Sequence, residues 1–453
     1  MFPRQRAVIE STSNTAGCLI LSLGNVCAPS SAPLKVLLPT IGSSGDVHPV
    51  LGLALALKAR GHAVTVATNE VFAEQVRSNG LEFIALGTAD EAERMARDPD
   101  LWHPTRGLPC IIRGAIVPNI RRLHAIIAGH RGPSSVVAAS TLCLGARVAE
   151  ESLGVPTATL HLQPSVMRSM VDSGRLGSVD MGPGMPRALK RALFWVADKA
   201  LLDRLICPEL NAFRAELGLA PASRVFGDYL HSPRLVLGLF PAWYAPPQPD
   251  WPANTHLTGF VLHDEASRPL PAGAEEFLGD GPAPVLVTPG SAATDRGAFF
   301  RASVAACACL GARAMLVTNH PEQLPRDLPM GIQAFAYVPF SRVLPRCCAI
   351  VYHGGIGTLA QAVRSAVPQL VVPNTFDQPD NGRRVERLGV GAMVGARAYG
   401  RGGRAARALG GVLGSASVRA RCRELAPRVD SAGAVARACE LIEGLGLPGG
   451  PAP

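Results

Sequence analysis

The sequence predicts an α/β protein built from two facing Rossmann-like halves with a cleft between them. Three observations support this fold class. Short apolar runs alternate with helical segments in both parts of the chain, which is typical of parallel βαβ units. Glycine-rich loops follow an early and a late apolar run. A proline-rich stretch separates the two series, and stiff stretches of this kind often connect domains.

The first series begins at Leu34. Short apolar runs predict strands over 34–39, 63–67, 81–86, 135–139 and 157–160. Helices are expected over 49–60, ending before Gly61, and over 70–78. A further amphipathic helix is expected over 186–205, with an ordinary core-facing helix weighed against one that contacts an acceptor or a membrane surface.

The second series follows a segment with five prolines between Pro241 and Pro252. Its predicted strands cover 285–288, 314–318, 332–335, 349–352 and 369–372. We therefore predict a disordered extension (1–33), a first half (34–240), a linker (241–256), a second half (257–445) and a flexible tail (446–453). Ligands of such folds bind in the crevice beyond the carboxyl ends of the strands.

Composition narrows the classes of partner. The chain has 453 residues, 17% of them charged, and a formal net charge of +9. Its basic residues are not gathered with aromatics, so no nucleic-acid partner is expected. The longest apolar runs are shorter than the roughly 18 residues of a membrane-spanning helix, which favours a cytoplasmic protein. The 11 cysteines include no C-x-x-C pair, so reduced thiols are expected. Nothing in the sequence indicates the oligomeric state.

The strongest local signal is the stretch H-G-G-I-G-T over 353–358, which lies between a predicted strand and a helix over 359–365. Glycines allow close backbone approach, and a helix N-terminus offers free N–H groups to a diphosphate. His353 and Thr358 can add side-chain donors. The predicted donor-binding residues of this stretch are His353, Gly354, Gly355, Gly357 and Thr358.

A second polar group follows the strand predicted over 369–372. Asp377 and Gln378 stand side by side, and an acid beside an amide can bind neighbouring hydroxyls of a sugar. Taken alone, this segment favours a solvated loop over a binding site.

Residues 335–381 resemble the donor-binding box of the family 1 glycosyltransferases. The shared frame is an aromatic-x-Pro start, the His-Gly-rich turn, Ala-Val-Pro, and Asp-Gln-x-x-Asn. The resemblance implies a GT-B fold, with diphosphate contacts at His353, Gly355 and Thr358 and sugar contacts at Asp377 and Gln378.

The box departs from the plant version at three positions. Tyr337 stands where plant members have a base-stacking Trp, Phe340 replaces a Gln, and Gln361 replaces an acid that holds the ribose. Tyr337, Val338 and Gln361 are nonetheless expected at the donor site. The departures resemble bacterial rhamnosyltransferases of glycolipid synthesis and the macrolide, glycopeptide and sterol enzymes. They leave open whether the donor is a UDP- or a dTDP-sugar.

The loop G-S-S-G-D-V-H-P over 42–49 resembles the G-S-x-G-D-V-x-P loop of bacterial and sterol glycosyltransferases. Asp46 stands where plant relatives carry their catalytic His. A carboxylate there can take the proton of an attacking hydroxyl, so Asp46 is the expected general base. His48 is the second candidate because its pKa is ordinarily near neutrality. Gly45 is expected to contact the donor.

Weaker signals concern the remaining donor contacts and the metal. Gly290 and Ser291 end one predicted strand and Thr318 ends the next, so all three are expected at the donor site. Asp98 and Asp100 spell D-x-D, a metal motif of another glycosyltransferase fold, but they lie in an irregular stretch. We expect no metal and no cofactor beyond the nucleotide-sugar co-substrate.

The sequence therefore predicts an inverting hexosyltransferase acting on a hydroxyl of an apolar acceptor such as a lipid, hydroxy fatty acid, sterol or polyketide. The alternatives are a nucleotide-sugar epimerase or hydrolase of the same fold, and an inactive nucleotide-sugar-binding protein. The apolar segments 94–130 and 165–232 are expected to form the acceptor pocket. Their basic residues suggest peripheral contact with the inner face of a membrane.

Overall fold

The computed structural model describes residues 32–176, 179–265, 268–290 and 296–447. Residues 1–31 of the predicted extension and 448–453 of the predicted tail lie outside the described residues. Within the described ranges the strands form two parallel sheets and one short antiparallel hairpin.

The first sheet has the order β3-β2-β1-β4-β5-β8-β9. Its strands are β1 (Lys35–Pro39), β2 (Ala63–Thr68), β3 (Glu82–Ala85), β4 (Ser135–Ser140), β5 (Thr157–His161), β8 (Leu235–Gly238) and β9 (Thr255–Leu257). The hairpin consists of β6 (Arg175–Leu176) and β7 (Val179–Asp180).

The second sheet has the order β12-β11-β10-β13-β14-β15. Its strands are β10 (Val285–Thr288), β11 (Ala314–Val317), β12 (Ile332–Phe335), β13 (Ala349–Tyr352), β14 (Gln369–Val371) and β15 (Gly391–Met393). Both orders reverse beside the first strand of the sheet, between β1 and β4 and between β10 and β13, as in doubly wound nucleotide-binding folds. The predicted pair of Rossmann-like halves is confirmed.

The helices of the first part of the chain are α1 (Ser44–Ala59), α2 (Ala73–Ser78), α3 (Ala89–Arg97), α4 (Gly107–Ile111), α5 (Val117–His130), α6 (Leu144–Leu153), α7 (Arg187–Ala197) and α8 (Asp203–Glu216). Those of the second part are α9 (Ala274–Gly279), α10 (Gly297–Cys309), α11 (Phe340–Val343), α12 (Ile356–Arg364), α13 (Gln378–Leu388), α14 (Ala396–Tyr399), α15 (Arg404–Gly414), α16 (Ala416–Leu425) and α17 (Ser431–Leu445). In the described part of the chain no helix combines the length and the apolarity needed to cross a membrane.

Two helices begin earlier than the sequence predicted. Helix α1 begins at Ser44 rather than at residue 49, because Ser43 and Asp46 form a capping box that satisfies N–H groups at the helix start. Helix α12 begins at Ile356 rather than at residue 359. Most of the glycine-rich stretch over 42–49 is therefore helical, and Asp46 lies in the first turn of α1.

The expected helix over 186–205 is interrupted. Helix α7 ends at Ala197, a wider π-helical turn covers Asp198–Leu202, and α8 continues to Glu216. The turn coincides with a buried ion pair, in which Asp198 binds Arg168 at 2.8 Å.

Two features cross the domain limits that the sequence predicted. Strand β9 begins inside the expected linker and pairs with β8 of the first sheet. Helix α17 returns from the second part of the chain and packs on the core of the first sheet through buried residues such as Ile442. Glu443 fixes this return by contacting Arg60 at 2.6 Å and His62 at 2.8 Å.

Candidate active site

A cleft of about 1980 Å³ lies at the carboxyl ends of both sheets. Its walls come from the loops after β1, β10, β11, β13 and β14, together with the segments between α3 and α8. The sequence-predicted residues that line it are Gly45, Asp46, His48, Gly290, Thr318, Tyr337, Val338, His353, Gly355, Gly357, Thr358, Gln361, Asp377 and Gln378. Ser291 lies outside the described residues. Gly354 is not among the lining residues, because it packs against Val371 and Gln378.

The Asp46 carboxylate is fixed by the start of α1. Its Oδ2 accepts hydrogen bonds from Ser43 N at 2.8 Å and Ser43 Oγ at 3.2 Å. A Cβ on Gly42, whose φ is +147°, would lie 2.2 Å from Oδ2, so only glycine leaves room for this geometry. Burial raises the pKa of Asp46 despite the bonds from Ser43. A partly buried carboxylate with a raised pKa is better suited to accept a proton than an exposed one.

His48 lies in the same cleft but its ring nitrogen is already engaged. Gln75 donates an amide hydrogen to His48 Nε2 at 3.1 Å, and the same amide reaches Glu265 at 3.2 Å. If Nε2 accepts, the ring proton is on Nδ1 and neither nitrogen offers a free lone pair. Burial and the neighbouring His263 lower the pKa of His48. The geometry favours Asp46 over His48 as the base.

His353 follows β13 and packs between two glycines. A Cβ on Gly290, whose φ is +93°, would lie 2.7 Å from Cε1 of the ring, and one on Gly355 would lie 2.4 Å from Nε2. Burial, with a smaller contribution from the Arg296 cation, lowers the pKa of His353 to about 4. His353 is therefore a neutral hydrogen-bonding group at neutral pH, and its buried Nδ1 has no partner among the described residues.

The start of α12 adds a second group of donors. Gly355 is its N-cap and supplies no side-chain cap, so the first backbone N–H groups are left for a ligand. Residues of this turn line the cleft, and a Cβ on Gly357 would meet nothing within 4 Å. An uncapped helix start of this kind binds anions.

Asp377 and Gln378 begin α13 on the same side of the cleft. Burial raises the pKa of Asp377 to about 7, and the nearby Asp46 carboxylate adds to this effect. Asp377 Oδ2 accepts a hydrogen bond from Asn381 Nδ2 at 2.7 Å. Gln378 Oε1 accepts from the backbone N of Asn374 at 2.9 Å and of Thr375 at 3.3 Å. The Gln378 oxygen thus shapes the loop, which leaves Asp377 Oδ1 and the Gln378 amide nitrogen for a ligand.

The far end of the cleft contains the residues expected near a nucleoside. Tyr337 is covered by the Arg268 guanidinium, 4.7 Å from the ring centroid. Val338 is buried, and Thr318 accepts a hydrogen bond from His320 N at 3.1 Å. Gln361 Oε1 is buried without a partner among the described residues. This is expected of an oxygen that accepts a hydrogen bond from a bound ligand.

The sequence analysis assigned no role to several residues that lie in the cleft or contact the residues that line it. Asn381 is buried and accepts a hydrogen bond from Tyr244 Oη at 2.7 Å while donating to Asp377. Trp102 and Phe376 line the cleft, and Arg296 lies against Trp102. The position of Asn381 in the Asp-Gln-x-x-Asn motif could have identified it from the sequence. Trp102 lies in an irregular segment that contains no recognisable motif.

The D-x-D pair is engaged locally. Asp98 Oδ1 accepts from the N of Asp100 at 2.8 Å, and Asp100 pairs with Arg106 at 2.7 Å. In the described ranges no group of three or more His, Cys, Asp and Glu side chains is arranged to hold a metal ion.

Known proteins resemble the chain over nearly its whole length. Residues 36–171 match the glycosyltransferase family 28 N-terminal domain, and residues 312–439 match the erythromycin biosynthesis protein CIII-like C-terminal domain. The O-mycaminosyltylonolide 6-deoxyallosyltransferase of Streptomyces fradiae is 30% identical over 424 residues, which cover 90% of this chain and 97% of that protein. The vancomycin aglycone glucosyltransferase of Amycolatopsis orientalis is 27% identical, with 79% and 85% covered.

Solved structures share the fold. The glycotransferase of kitacinnamycin superposes with a TM-score of 0.70 at 23% identity, covering 92% of this chain and all of that one. The spinosyn rhamnosyltransferase in complex with thymidine diphosphate superposes with a TM-score of 0.63 at 20% identity, covering 90% of this chain and all of that one.

The environment of His353 predicts how it titrates. We expect an NMR titration to give a pKa of about 4 for its ring, with the signal assigned through a His353→Gln variant. Arg296→Gln should raise this pKa but leave it below the ordinary value, since burial is the larger cause. Because the unfolded chain binds the proton more readily, His353 should lower the free energy of unfolding as the pH falls below about 6.5. A pKa near 6.5 in the folded protein would contradict the buried, neutral ring.

Proposed function

Because the chain belongs to the family 1 glycosyltransferases of the macrolide type, we propose that it transfers a hexose or deoxyhexose from a dTDP- or UDP-sugar to a hydroxyl of an apolar acceptor, with inversion. The observation that carries this proposal is that Asp46, His353 and Asp377 line one cleft. A base of the first half thus shares a cavity with anion- and sugar-binding groups of the second half.

In the proposed reaction Asp46 removes the proton of the acceptor hydroxyl. The oxygen attacks the anomeric carbon as the bond from that carbon to the diphosphate oxygen breaks, and the nucleoside diphosphate leaves. A single displacement of this kind inverts the anomeric centre. The raised pKa of Asp46 supports its role, because the base must hold the proton it receives.

We propose that the negative charge on the leaving diphosphate is stabilised without a charged histidine. His353 is neutral at neutral pH, so it contributes a hydrogen bond rather than a positive charge. The start of α12 supplies N–H groups, and Arg296 is close enough to influence His353 electrostatically. Fixed donors aimed at developing charge are an effective form of transition-state stabilisation.

We propose a thymidine rather than a uridine donor. A relative 26% identical to this chain is a dTDP-epi-vancosaminyltransferase, and a structural neighbour is complexed with thymidine diphosphate. Both observations concern other proteins, and they support this choice for the chain through shared family and fold.

The acceptor is proposed to be a polyketide or a similarly apolar molecule that binds between the segments 94–130 and 165–232. Cleft-lining side chains from these segments are largely apolar, and they include Leu108, Ile111, Phe194 and Leu202. Phe194 and Leu202 are buried, so they contribute to the wall as part of a packed surface. Such a wall favours an apolar acceptor that presents one hydroxyl to Asp46.

The role of Asp46 can be tested with an isosteric variant. Asp46→Asn should retain binding of the donor within a few-fold and lower kcat by about 10²–10⁴, the range for a lost acid–base group. His48→Gln is the matched control and should retain most of the turnover, since His48 is held by Gln75. Mass spectrometry of the glycosylated acceptor measures both. Near-full turnover of Asp46→Asn would exclude Asp46 as the base, and free sugar released without acceptor would indicate a hydrolase.

We propose that transfer needs no metal ion. The uncapped start of α12 and the neutral His353 ring are the groups offered to the diphosphate instead. Turnover should therefore survive exhaustive treatment with EDTA. Loss of turnover that Mg²⁺ or Mn²⁺ restores would contradict this, and Asp98→Asn would then show whether the D-x-D pair is involved.

We also propose a peripheral contact with anionic membrane through α7. Its exposed side chains include Leu189, Trp195 and Val196, which are 47%, 60% and 51% exposed, and the basic Arg187 and Arg191. A surface helix that exposes both apolar and basic side chains suits an anionic lipid surface. The protein should sediment with phosphatidylglycerol vesicles and not with phosphatidylcholine vesicles, and Arg187→Gln with Arg191→Gln should weaken this. Equal sedimentation with both lipids, or none, would contradict it.

A further inference from the structure

The Asn381 side chain lies at the centre of a buried hydrogen-bond network. Its Nδ2 donates to the Gly354 carbonyl oxygen at 2.9 Å and to Asp377 Oδ2 at 2.7 Å. Its Oδ1 accepts from Tyr244 Oη at 2.7 Å. Asn381 is completely buried, so these contacts form away from water. One amide therefore joins the glycine-rich turn, the proposed sugar ligand and a tyrosine from outside the donor-binding box.

The orientation of this amide is fixed by the chemistry of its partners. The Gly354 carbonyl oxygen can only accept a hydrogen bond, and so can the ionised carboxylate of Asp377. The amide nitrogen must therefore face these two groups, and the amide oxygen must face Tyr244. Burial raises the pKa of Tyr244 well above its ordinary value, so its hydroxyl keeps its proton and donates.

Tyr244 is itself held in place by packing. Its ring meets that of Phe260 edge to face, with the centroids 5.3 Å apart. The Arg384 guanidinium carbon lies 5.3 Å from the Tyr244 ring centroid, and Arg384 Nη1 donates to the Tyr244 carbonyl oxygen at 3.1 Å. Arg384 is in turn bound by Asp380 at 2.8 Å. The position of the hydroxyl oxygen therefore does not depend on its bond to Asn381.

Tyr244 belongs to the segment that joins β8 to β9, two strands of the first sheet. Its ring nevertheless lies in a hydrophobic core that contains Ile350 and Tyr352 of β13, in the second sheet. A segment of the first half thus reaches the helix that begins beside Asp377.

The Asn381 amide determines which oxygen of Asp377 is available. It occupies Oδ2 and leaves Oδ1 for a ligand. The same bond favours the ionised form of Asp377 and so opposes burial, which raises the pKa of this group to about 7. Without the Tyr244 hydroxyl, the amide would keep a buried oxygen unpaired or turn that oxygen towards Gly354 and Asp377. Either change would weaken the hold on Asp377.

We propose that Tyr244 is a positioning residue of the donor-sugar site. It orients the Asn381 amide, and the amide holds Asp377 with Oδ1 free to accept from a hydroxyl of the donor sugar. This inference rests on the proposed glycosyl transfer. Neither Tyr244 nor Asn381 lines the cleft. Removal of the Tyr244 hydroxyl should therefore affect binding of the sugar and spare binding of the nucleoside diphosphate.

The test removes one buried hydroxyl group at a time. Tyr244→Phe deletes the donor to Asn381 and keeps the ring. Tyr399→Phe is the matched control, because Tyr399 is similarly buried and its Oη contacts Ser303 Oγ at 3.0 Å, away from the cleft. Calorimetry gives the dissociation constants of dTDP-glucose and of dTDP, and steady-state kinetics gives kcat and the KM for dTDP-glucose.

Tyr244→Phe should weaken the binding of dTDP-glucose roughly three- to tenfold and change that of dTDP by less than about twofold, since one hydrogen bond to the sugar is affected. The KM for dTDP-glucose should rise with little change in kcat, as expected when binding common to ground and transition states is lost. Tyr399→Phe should change neither affinity. An equal loss for both ligands, an unchanged affinity for dTDP-glucose, or the same loss in Tyr399→Phe would overturn the proposal.

A double variant shows whether Tyr244 acts through Asn381. Tyr244→Phe should cause no further loss of dTDP-glucose binding when it is added to Asn381→Ala, because the amide that Tyr244 orients is then absent. Additive losses would overturn the proposal. If Asn381→Ala does not fold, the comparison of Tyr244→Phe with Tyr399→Phe still decides the question.

Failure of the proposed function would appear in the unaltered protein. If that protein binds dTDP-glucose but transfers glucose to no acceptor tested, the proposed transfer fails, and the calorimetric comparison of the two variants still tests the positioning role. If it binds UDP-glucose and UDP instead, the same comparison uses that pair. Binding of neither nucleotide sugar would overturn the transfer and the positioning role together.

Discussion

The order of the strands is the constraint on which the site depends. In each sheet the order reverses beside the first strand, so the connection after β1 opens at the carboxyl edge of the first sheet and the loops after β10 and β13 open at that of the second. Asp46, at the start of α1, and Gly290 and His353, in the two loops, are distant in sequence but line one cleft. Parallel strands align their carboxyl ends, so a chain that places polar and glycine residues after each strand gathers them at one edge of the sheet.

Burial then gives these groups their chemical character. It raises the pKa of Asp46 and Asp377, and it lowers that of His353. All three shifts act against charge, and the glycines at positions 42, 290 and 355 allow the tight packing that produces them. The resulting site has a carboxylate with increased proton affinity on one side and a neutral imidazole with backbone donors on the other. Hydrogen bonds to groups buried in this way are stronger than they would be in solvent.

The sequence predicted the parts of the fold that local patterns determine. The strands at 285–288 and 349–352 match the structure, because strands buried on both faces are continuous apolar runs. The start of α1 was missed, since it depends on a side-chain cap rather than on apolar spacing. Trp102 and Phe376 were missed because they are distant in sequence and meet only through tertiary packing. The expected linker also contains aromatic residues, including Tyr244 and Trp251, that are buried in a hydrophobic core. The proline content of the linker did not predict this burial.

The return of α17 to the first half has a consequence for the construction of hybrid proteins. The polypeptide passes between the halves twice, once after β9, which ends at Leu257, and once before Ser431. A chimera joined only at the first crossing would set α17 of one parent against α1 of the other, with the Glu443 contacts to Arg60 and His62 depending on residues from different parents. Recombination that keeps α17 with the half on which it packs requires two junctions, and it preserves the apolar seam that buries Ile442 and Leu445.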